Sequence, residues 1–404
     1  MLSEEWQNIK RILAIRLDNI GDVVMLSPAL RTIRRFLPEA RITLLTSPAG
    51  SQVAPLLPWV DEVIVRSALW QDISGRTEVR PRDEMEFVGQ LRNDHFDVAV
   101  IFTSFTQSPY PPAYVCYLAE IPIRLGHSNE FGGAVLTHWF KPPPLDGHQV
   151  DRNLALLESA GFPEAGNYLE LDIPEHIQDA ADYLLRETGI DPGSPFIAFA
   201  PGASCSARRY DLKRFVEVLH LLSEDPGAPI LVLGSERERL VFLPLLESLD
   251  SDPSGRFFSL VGETSVPQLA AIIRRSGLVI ANNSASLHIA DAFRRPMVIL
   301  YSGTEYESQW QPRSSLAKLL RRFTVCSPCF KFNCPYEMEC LDIPPKEVAQ
   351  AARELWDAQL AVDVTGWEQN KPDIGMETTG SVTEAGIVSE SGMSAQYFTN
   401  ERRN

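Results

Sequence analysis

Five short stretches of this 404-residue chain carry side chains able to do chemistry. LVIANNSASLHIADAF (278–293) leaves an apolar, strand-like run through Asn282, Asn283 and Ser284 and opens directly into a helical pattern. The unpaired N–H groups and positive dipole end of a helix starting there form an anion site that needs no metal. His288, four residues after Ser284, lies one turn along the same face, within reach of a phosphate or ribose; taken alone, a helical histidine is more often a packed core residue. FAPGASCSARRYDLKRF places Pro201, Gly202, Ala203 and Ser204 after another apolar run, with Arg208 and Arg209 just before a helix. Small residues permit close backbone approach, and guanidinium groups match phosphate oxygens. LGSERER offers Glu236 or Glu238 as an acceptor for ribose hydroxyls. Near the N-terminus, Asp18, Asn19, Gly21 and Asp22 follow the first apolar run. Gly21 can let a ligand approach the backbone, and Asp22 sits where a helix dipole favours its charged form; capping the helix is the plainer use of it.

The fifth stretch is CSPCFKFNCPYEMEC, with Cys326, Cys329, Cys334 and Cys340 within fifteen residues. Four thiolates suffice for a tetrahedral structural zinc site. Two disulfides, an iron–sulfur cluster and four reduced thiols are the other readings, the disulfides being disfavoured in a reducing compartment.

These stretches need a scaffold that brings strand ends together. RILAIRL (11–17), RITLLTS (41–47), VDEVIVR (60–66) and FDVAVIFTS (96–104) are short apolar runs separated by segments long enough for crossover helices, as in a parallel sheet covered on both faces. VVMLSPALRTIRRFL puts Val24, Leu26, Leu30, Ile33 and Leu37 on one side of a helix that ends before Pro38. After breaks at 141–153 and 187–195 the alternation restarts with FIAFA, PILVLGS, FFSLVG, LVIAN and PMVILYS. The spacing predicts an α/β protein of two facing Rossmann-like domains with parallel sheets, 1–180 and 181–362, and a disordered tail over 363–404, which is rich in Gly, Ser, Thr and Glu. In such sheets ligands bind at the carboxyl ends of the strands, so the loops after residues 200, 233 and 281 should converge on one edge.

Composition narrows the function further. A 44% hydrophobic, 22% charged chain is that of an ordinary globular protein. With 37 Lys and Arg against 53 Asp and Glu, its formal charge of -16 is opposite to the footprint of a nucleic-acid binder. There is no G-x-G-x-x-G after the first strand and no P-loop motif, which disfavours a classical dinucleotide dehydrogenase and a P-loop NTPase. No run of 18 apolar residues occurs and MLSEEWQNIK is acidic and amphipathic, so a cytoplasmic protein is expected. Arg31, Arg34 and Arg35 in one helical stretch suit either anionic headgroups at the inner membrane face or an ordinary solvated surface.

IRLDNIGDVVMLSPAL, APGASCSARRYDLKRF and ANNSASLHIADAFRRPMVILYSGT, in this order and spacing, resemble glycosyltransferase family 9, the ADP-heptose:lipopolysaccharide heptosyltransferases and their relatives. The likeness covers roughly residues 10–350, and the cysteine-rich segment is similar to one in part of the family. It implies the GT-B architecture, with the acceptor on the N-terminal domain and the nucleotide-sugar donor on the C-terminal one. It also implies inverting transfer with no cofactor in catalysis, a carboxylate deprotonating a glycolipid or glycan acceptor while the nucleoside diphosphate leaves. Asp22 matches the family's proposed general base. Ser204 and Arg208 match its diphosphate-binding residues, Glu236 or Glu238 its ribose acceptor, and Thr264 a position whose backbone approaches the base. The chain departs from the family in carrying Asn283-Ser284-Ala285 for Asp-Thr-Gly, and Arg208 for the usual Lys. Heptose is thus the family default, and glycosyl transfer the firmer inference. The competing readings are a GT-B-shaped sugar-nucleotide epimerase, a non-catalytic nucleotide-sugar binder, and an interaction protein built on the cysteine cluster.

Overall fold

The computed structural model describes residues 4–365 except 73, 74, 76, 77, 79, 251 and 252. Its strands form two six-stranded, wholly parallel sheets within a single unit, residues 1–361. The first contains β1 (Arg11–Arg16), β2 (Arg41–Thr46), β3 (Glu62–Val65), β4 (Val98–Ile101), β5 (Ile123–His127) and β6 (His138–Phe140), in the order β3-β2-β1-β4-β5-β6. The second contains β7 (Ile197–Ala200), β8 (Ile230–Val232), β9 (Phe257–Ser259), β10 (Leu278–Asn282), β11 (Met297–Leu300) and β12 (Ala317–Leu320), in the order β12-β11-β10-β7-β8-β9. Numbered from its own first strand, each sheet runs 3-2-1-4-5-6. The order in which strands are added therefore reverses between β1 and β4 in one lobe and between β7 and β10 in the other, the places where an open α/β sheet leaves a crevice.

Central strands β4, β7, β10 and β11 are buried at every residue, because helices cover both faces. Edge strand β3 alternates between exposed and half-buried positions. The sequence reading missed β5, β6 and β12. Their residues, IRLGH, HWF and AKLL, are too short or too polar to stand out as apolar runs. The helix expected from Val24 onward is two, Ile20–Val24 and Ser27–Phe36, because Pro28 cannot donate into a preceding turn. Asp22 consequently lies inside the first turn of the shorter helix.

Helix Glu175–Thr188 runs across the expected boundary at 180/181 and packs on helix Val266–Arg275 of the second lobe. Arg274 Nη2 donates to Gln178 at 2.6 Å and Arg275 Nη2 to Asp182 at 2.7 Å. One apolar core runs from Ile12 and Ile42 through Ile173 and Leu185 to Ile273 and Leu287, joining the lobes. The tail expected to lack structure lies outside the described residues, apart from 363–365, which end the helix Pro345–Thr365. No described helix is long and apolar enough to cross a membrane.

Two of the three arginines expected on a solvated or membrane-facing surface are used internally. Arg31 is buried, donating to Ala165 O (3.1 Å), Gly166 O (2.9 Å) and Glu170 (2.9 Å) and lying over Tyr168. Arg34 binds Ala40 O (2.8 Å) and Asp61 (2.5 Å). Only Arg35 of the three is exposed.

Asn282, wholly buried at the end of β10, ties the loop after β7 in place. Its Nδ2 donates to Pro201 O at 2.6 Å and its Oδ1 accepts from Tyr210 N at 3.1 Å. Asn282→Ala would leave both backbone groups buried and unpartnered, and a stability loss of about 2 kcal/mol or more is expected in chemical denaturation.

Candidate active site at the two switch points

The floor of the first crevice is a buried guanidinium. Arg16 ends β1 with no exposed surface; its Nη2 donates to Asp22 Oδ1 and to Ser104 Oγ, both at 2.8 Å, and its Nε lies 3.0 Å from Asp18 Oδ2. Gln107 Nε2 donates to the other oxygen of Asp18 at 2.6 Å. Asn19 is the N-cap of helix Ile20–Val24, and its backbone N–H donates to Asp22 Oδ2 at 3.1 Å. Asp22 thus does cap its helix while turning one oxygen to Arg16. Burial pushes its carboxyl above the ordinary range, Arg16 pulls it down and Asp18 pushes it up, for a net rise. A carboxylate raised in this way is a stronger base than a solvated one.

Across from it stands the start of helix Ala285–Ala292. Ser284 is its N-cap, extended in backbone and without a side-chain cap bond, and Ser284 and Ala285 are only half-buried. The first turn therefore keeps N–H groups for a ligand. Arg208, from the loop after β7, reaches Thr304 Oγ1 with Nε (3.2 Å), Ser204 Oγ with Nη1 (3.4 Å) and the Glu305 carboxylate with Nη2. Arg209 folds back on its own loop, its Nη2 on Ala203 O at 3.2 Å, which leaves Arg208 as the arginine of the crevice.

The lobes touch at Gly21 and His288. A Cβ on Gly21 would stand 2.6 Å from His288 Cδ2, so no larger residue fits while the lobes are in this arrangement. His288 is buried against Trp310, ring centroids 6.5 Å apart, and its pKa is pushed down to about 3 by burial, with His148 and Arg208 adding to the effect. It is a neutral imidazole at ordinary pH. His148 donates from Nε2 to Gln311 O (2.9 Å), and Asp151 pairs with Arg313 (2.9 Å), two further ties between the lobes.

The remaining sequence-derived positions line the second lobe. Glu238 Oε2 accepts from Ser235 N (3.0 Å) and Oγ (2.8 Å), while Oε1 lies over Gly202, where a Cβ would meet it at 2.2 Å. Glu236 is exposed, pairs with Arg239 Nε (2.8 Å) and lies over Gly262 in the same way. Glu238 thus stands between the loops after β7 and β8, and Glu236 between those after β8 and β9. Gly262 N donates to Gly234 O (2.9 Å), joining the β8 and β9 loops, and Thr264 is half-buried just before the Ser265 cap of helix Val266–Arg275.

The four clustered cysteines are all free, Cys326 exposed and the other three half-buried. Burial pushes the Cys340 thiol up. Cys334, Cys326 and Cys329 add to that rise; among the described residues no group of three or more His, Cys, Asp or Glu is placed to hold a metal ion. The backbone of the segment has a use of its own: Cys329 N donates to Gly303 O (3.0 Å), Phe330 N to Thr304 O (2.8 Å), and Ala207 N to Phe332 O (3.1 Å). Those bonds spread the segment along the two loops that carry Arg208 and Glu305.

Sequence reasoning missed Arg16, Ser104, Thr304 and Glu305 and gave Asp18 no role. A charged residue inside the apolar run RILAIRL was a signal for Arg16, and the position just past β11 was one for Glu305.

Residues 85–339 match the family model for glycosyltransferase family 9 (heptosyltransferase). Lipopolysaccharide heptosyltransferase 2 of Escherichia coli K12 is 25% identical over 365 residues, covering 85% of this chain and 98% of that protein. Lipooligosaccharide heptosyltransferase 2 of Haemophilus ducreyi is 25% identical, covering 85% and 99%. Among solved structures, a family 9 glycosyl transferase from Veillonella parvula superposes with TM-score 0.70 at 20% identity, covering 86% of this chain and 97% of that one. The E. coli ADP-heptose lps heptosyltransferase II superposes with TM-score 0.69 at 22% identity, covering 87% and 99%. These likenesses show the two-lobed GT-B fold.

Two outcomes are expected from this geometry. Gly21→Ala should cost about 1–3 kcal/mol by overpacking, and the cost should shrink in a His288→Ala background; a double-mutant cycle in denaturant measures the difference. His288 and His127 are both held near pKa 3, chiefly by burial, against 6.5 for an ordinary imidazole. A base with a lowered folded pKa costs nothing above 6.5 and draws protons to the unfolded chain as pH falls below it. Stability measured from pH 7 to pH 4 should therefore fall by a few kcal/mol, and replacing either histidine with Asn should flatten the slope.

Proposed function

Because the chain belongs to glycosyltransferase family 9, we propose that this glycosyltransferase moves heptose from ADP-heptose onto a lipopolysaccharide-core acceptor with inversion, using Asp22 as general base. The observation that carries the reading is the placement of Asp22 at one switch point against Arg208 and the open start of helix Ala285–Ala292 at the other, with Gly21 and His288 in contact between them.

The roles follow from the charges. An acceptor hydroxyl beside Asp22 gives its proton to the Asp22 carboxylate as the hydroxyl oxygen attacks the anomeric carbon. The new C–O bond forms as the bond from that carbon to the diphosphate breaks, and the electron pair leaves with the phosphate oxygen. Attack from the side opposite the leaving group inverts the centre. Arg16 holds Asp22 at 2.8 Å and Asn19 N–H holds its other oxygen at 3.1 Å, which fixes the orientation of the carboxylate. The departing diphosphate gains charge where Arg208, Ser204 and the helix N–H groups are already oriented, and fixed donors of this kind stabilise a transition state without reorganising. His288, kept neutral, supplies a hydrogen-bonding group in place of a charge. Glu238, beside Gly202, is the better placed of the two glutamates to accept from the ribose, Glu236 being exposed and paired with Arg239. The relatives named as lipopolysaccharide and lipooligosaccharide heptosyltransferases support heptose and an acceptor of that class.

Asp22→Asn is nearly isosteric and keeps an acceptor oxygen for Asn19 N–H. Purified protein supplied with ADP-heptose and a heptose-deficient core acceptor should release ADP only when the acceptor is present. Asp22→Asn should bind donor within about threefold of wild type and lose about 10²–10⁴ in kcat. ADP release without acceptor, or full turnover by the Asn variant, would overturn the reading.

A further inference from the structure

Arg208 is the cation meant for the diphosphate, yet it already has a carboxylate on it. Glu305, five residues past the end of β11, accepts from Nη2, and Thr304 Oγ1, itself 3.1 Å from Ser302 Oγ, accepts from Nε. Two of the three guanidinium nitrogens are thereby fixed by one loop, and Nη1, beside Ser204, is left as the edge for a ligand. The loop is braced in turn by Cys329 N on Gly303 O and Phe330 N on Thr304 O.

Glu305 is unusual for a residue whose only task is to orient an arginine. It is largely enclosed, its side chain 19% exposed, and it is the only carboxylate among the described residues paired with Arg208. The titratable groups around it come from every side: Arg208 from the β7 loop, Asp22 from the other lobe, Tyr301 at the end of β11, and Cys205. Burial raises its carboxyl and Asp22 raises it further, while Arg208 and the adjacent Asn283 lower it, leaving it above the ordinary range. A diphosphate brings two more negative charges to the same guanidinium. Like charges forced together in an enclosed site favour protonation of the group that can accept a proton.

We propose that Glu305 is the positioning residue of the donor site, holding Arg208 with one edge free for the diphosphate, and that its protonation by solvent increases, by a fraction of a proton per site, as the diphosphate arrives. The free enzyme thereby keeps its half-buried arginine paired, and the bound donor meets an arginine whose competing carboxylate has been neutralised. This rests on the donor reading above. The sign of the linkage follows: because the complex holds more protons than its separated parts, donor binding tightens as pH falls.

Calorimetry tests the idea with ADP-heptose and no acceptor. The diphosphate in that molecule is doubly esterified and does not titrate near neutrality, so protons counted in buffers of different ionisation enthalpy belong to the protein. Wild type should take up a fraction of a proton, and its Kd should rise about threefold to tenfold from pH 6 to pH 8. Glu305→Gln, which keeps the shape and an acceptor oxygen for Arg208, should take up none, show a flat Kd and bind at least as tightly as wild type at pH 8. Asp22→Asn should retain uptake, since Glu305 remains. A Glu305→Gln protein with the wild-type pH slope, or one that binds more weakly throughout while still taking up protons, would overturn the proposal and leave the donor reading standing. Failure of wild type to bind ADP-heptose would take down both.

Discussion

The site depends on a contact that tolerates no side chain. Gly21 lies against the ring of His288, and through that contact the helix carrying Asp22 is set against the helix whose open end faces the crevice. Each lobe by itself presents half of an arrangement: a buried carboxylate at one switch point, an anion site at the other. A residue larger than glycine at position 21 would separate them by about the width of a methyl group, and catalytic geometry is sensitive on that scale. The further ties at His148–Gln311 and Asp151–Arg313, and the apolar core that runs through both lobes, hold the same juxtaposition from its flank.

In the crevice, the guanidiniums of Arg16 and Arg208 each have carboxylate partners, and each arrangement leaves something available. Arg16 is shared by Asp18 and Asp22, which keeps Asp22 oriented without neutralising the raised basicity that burial confers. Arg208 is shared by Thr304, Ser204 and Glu305 and keeps one edge toward the ligand. Asn283 fits this layout: an Asp there would put a third carboxylate beside Glu305 and Asp22, where like charges in an enclosed space cannot all stay ionised. Asn282, one residue earlier, is a structural clamp, so adjacent asparagines of the same strand end do different work.

The cysteine-rich segment has a structural use that its spacing does not show. Its thiols are free, and its backbone braces the loops at 206–208 and 303–305. Spacing between cysteines speaks of what thiols can reach, but the backbone hydrogen bonds that decide where they go are made by residue-independent groups and leave no trace in the pattern.

Apolar runs determined the architecture from sequence alone, since a strand buried on both faces must be apolar throughout; β1, β2, β4, β7, β10 and β11 were all legible for that reason. Edge strands such as β12, with Lys318 in a four-residue element, were not, because one open face relaxes the demand. Loop positions at strand ends likewise exposed Asp22, Arg208 and Ser284. Partnership was decided only in three dimensions. Arg16 and Ser104 are 88 residues apart and Arg208 and Glu305 are 97 apart, and neither pairing follows from local propensity or period. Composition and spacing report which groups a chain owns and which face of an element they occupy, whereas burial, which sets the basicity of Asp22, the neutrality of His288 and the charge of Glu305, is a property of what other segments pack around them.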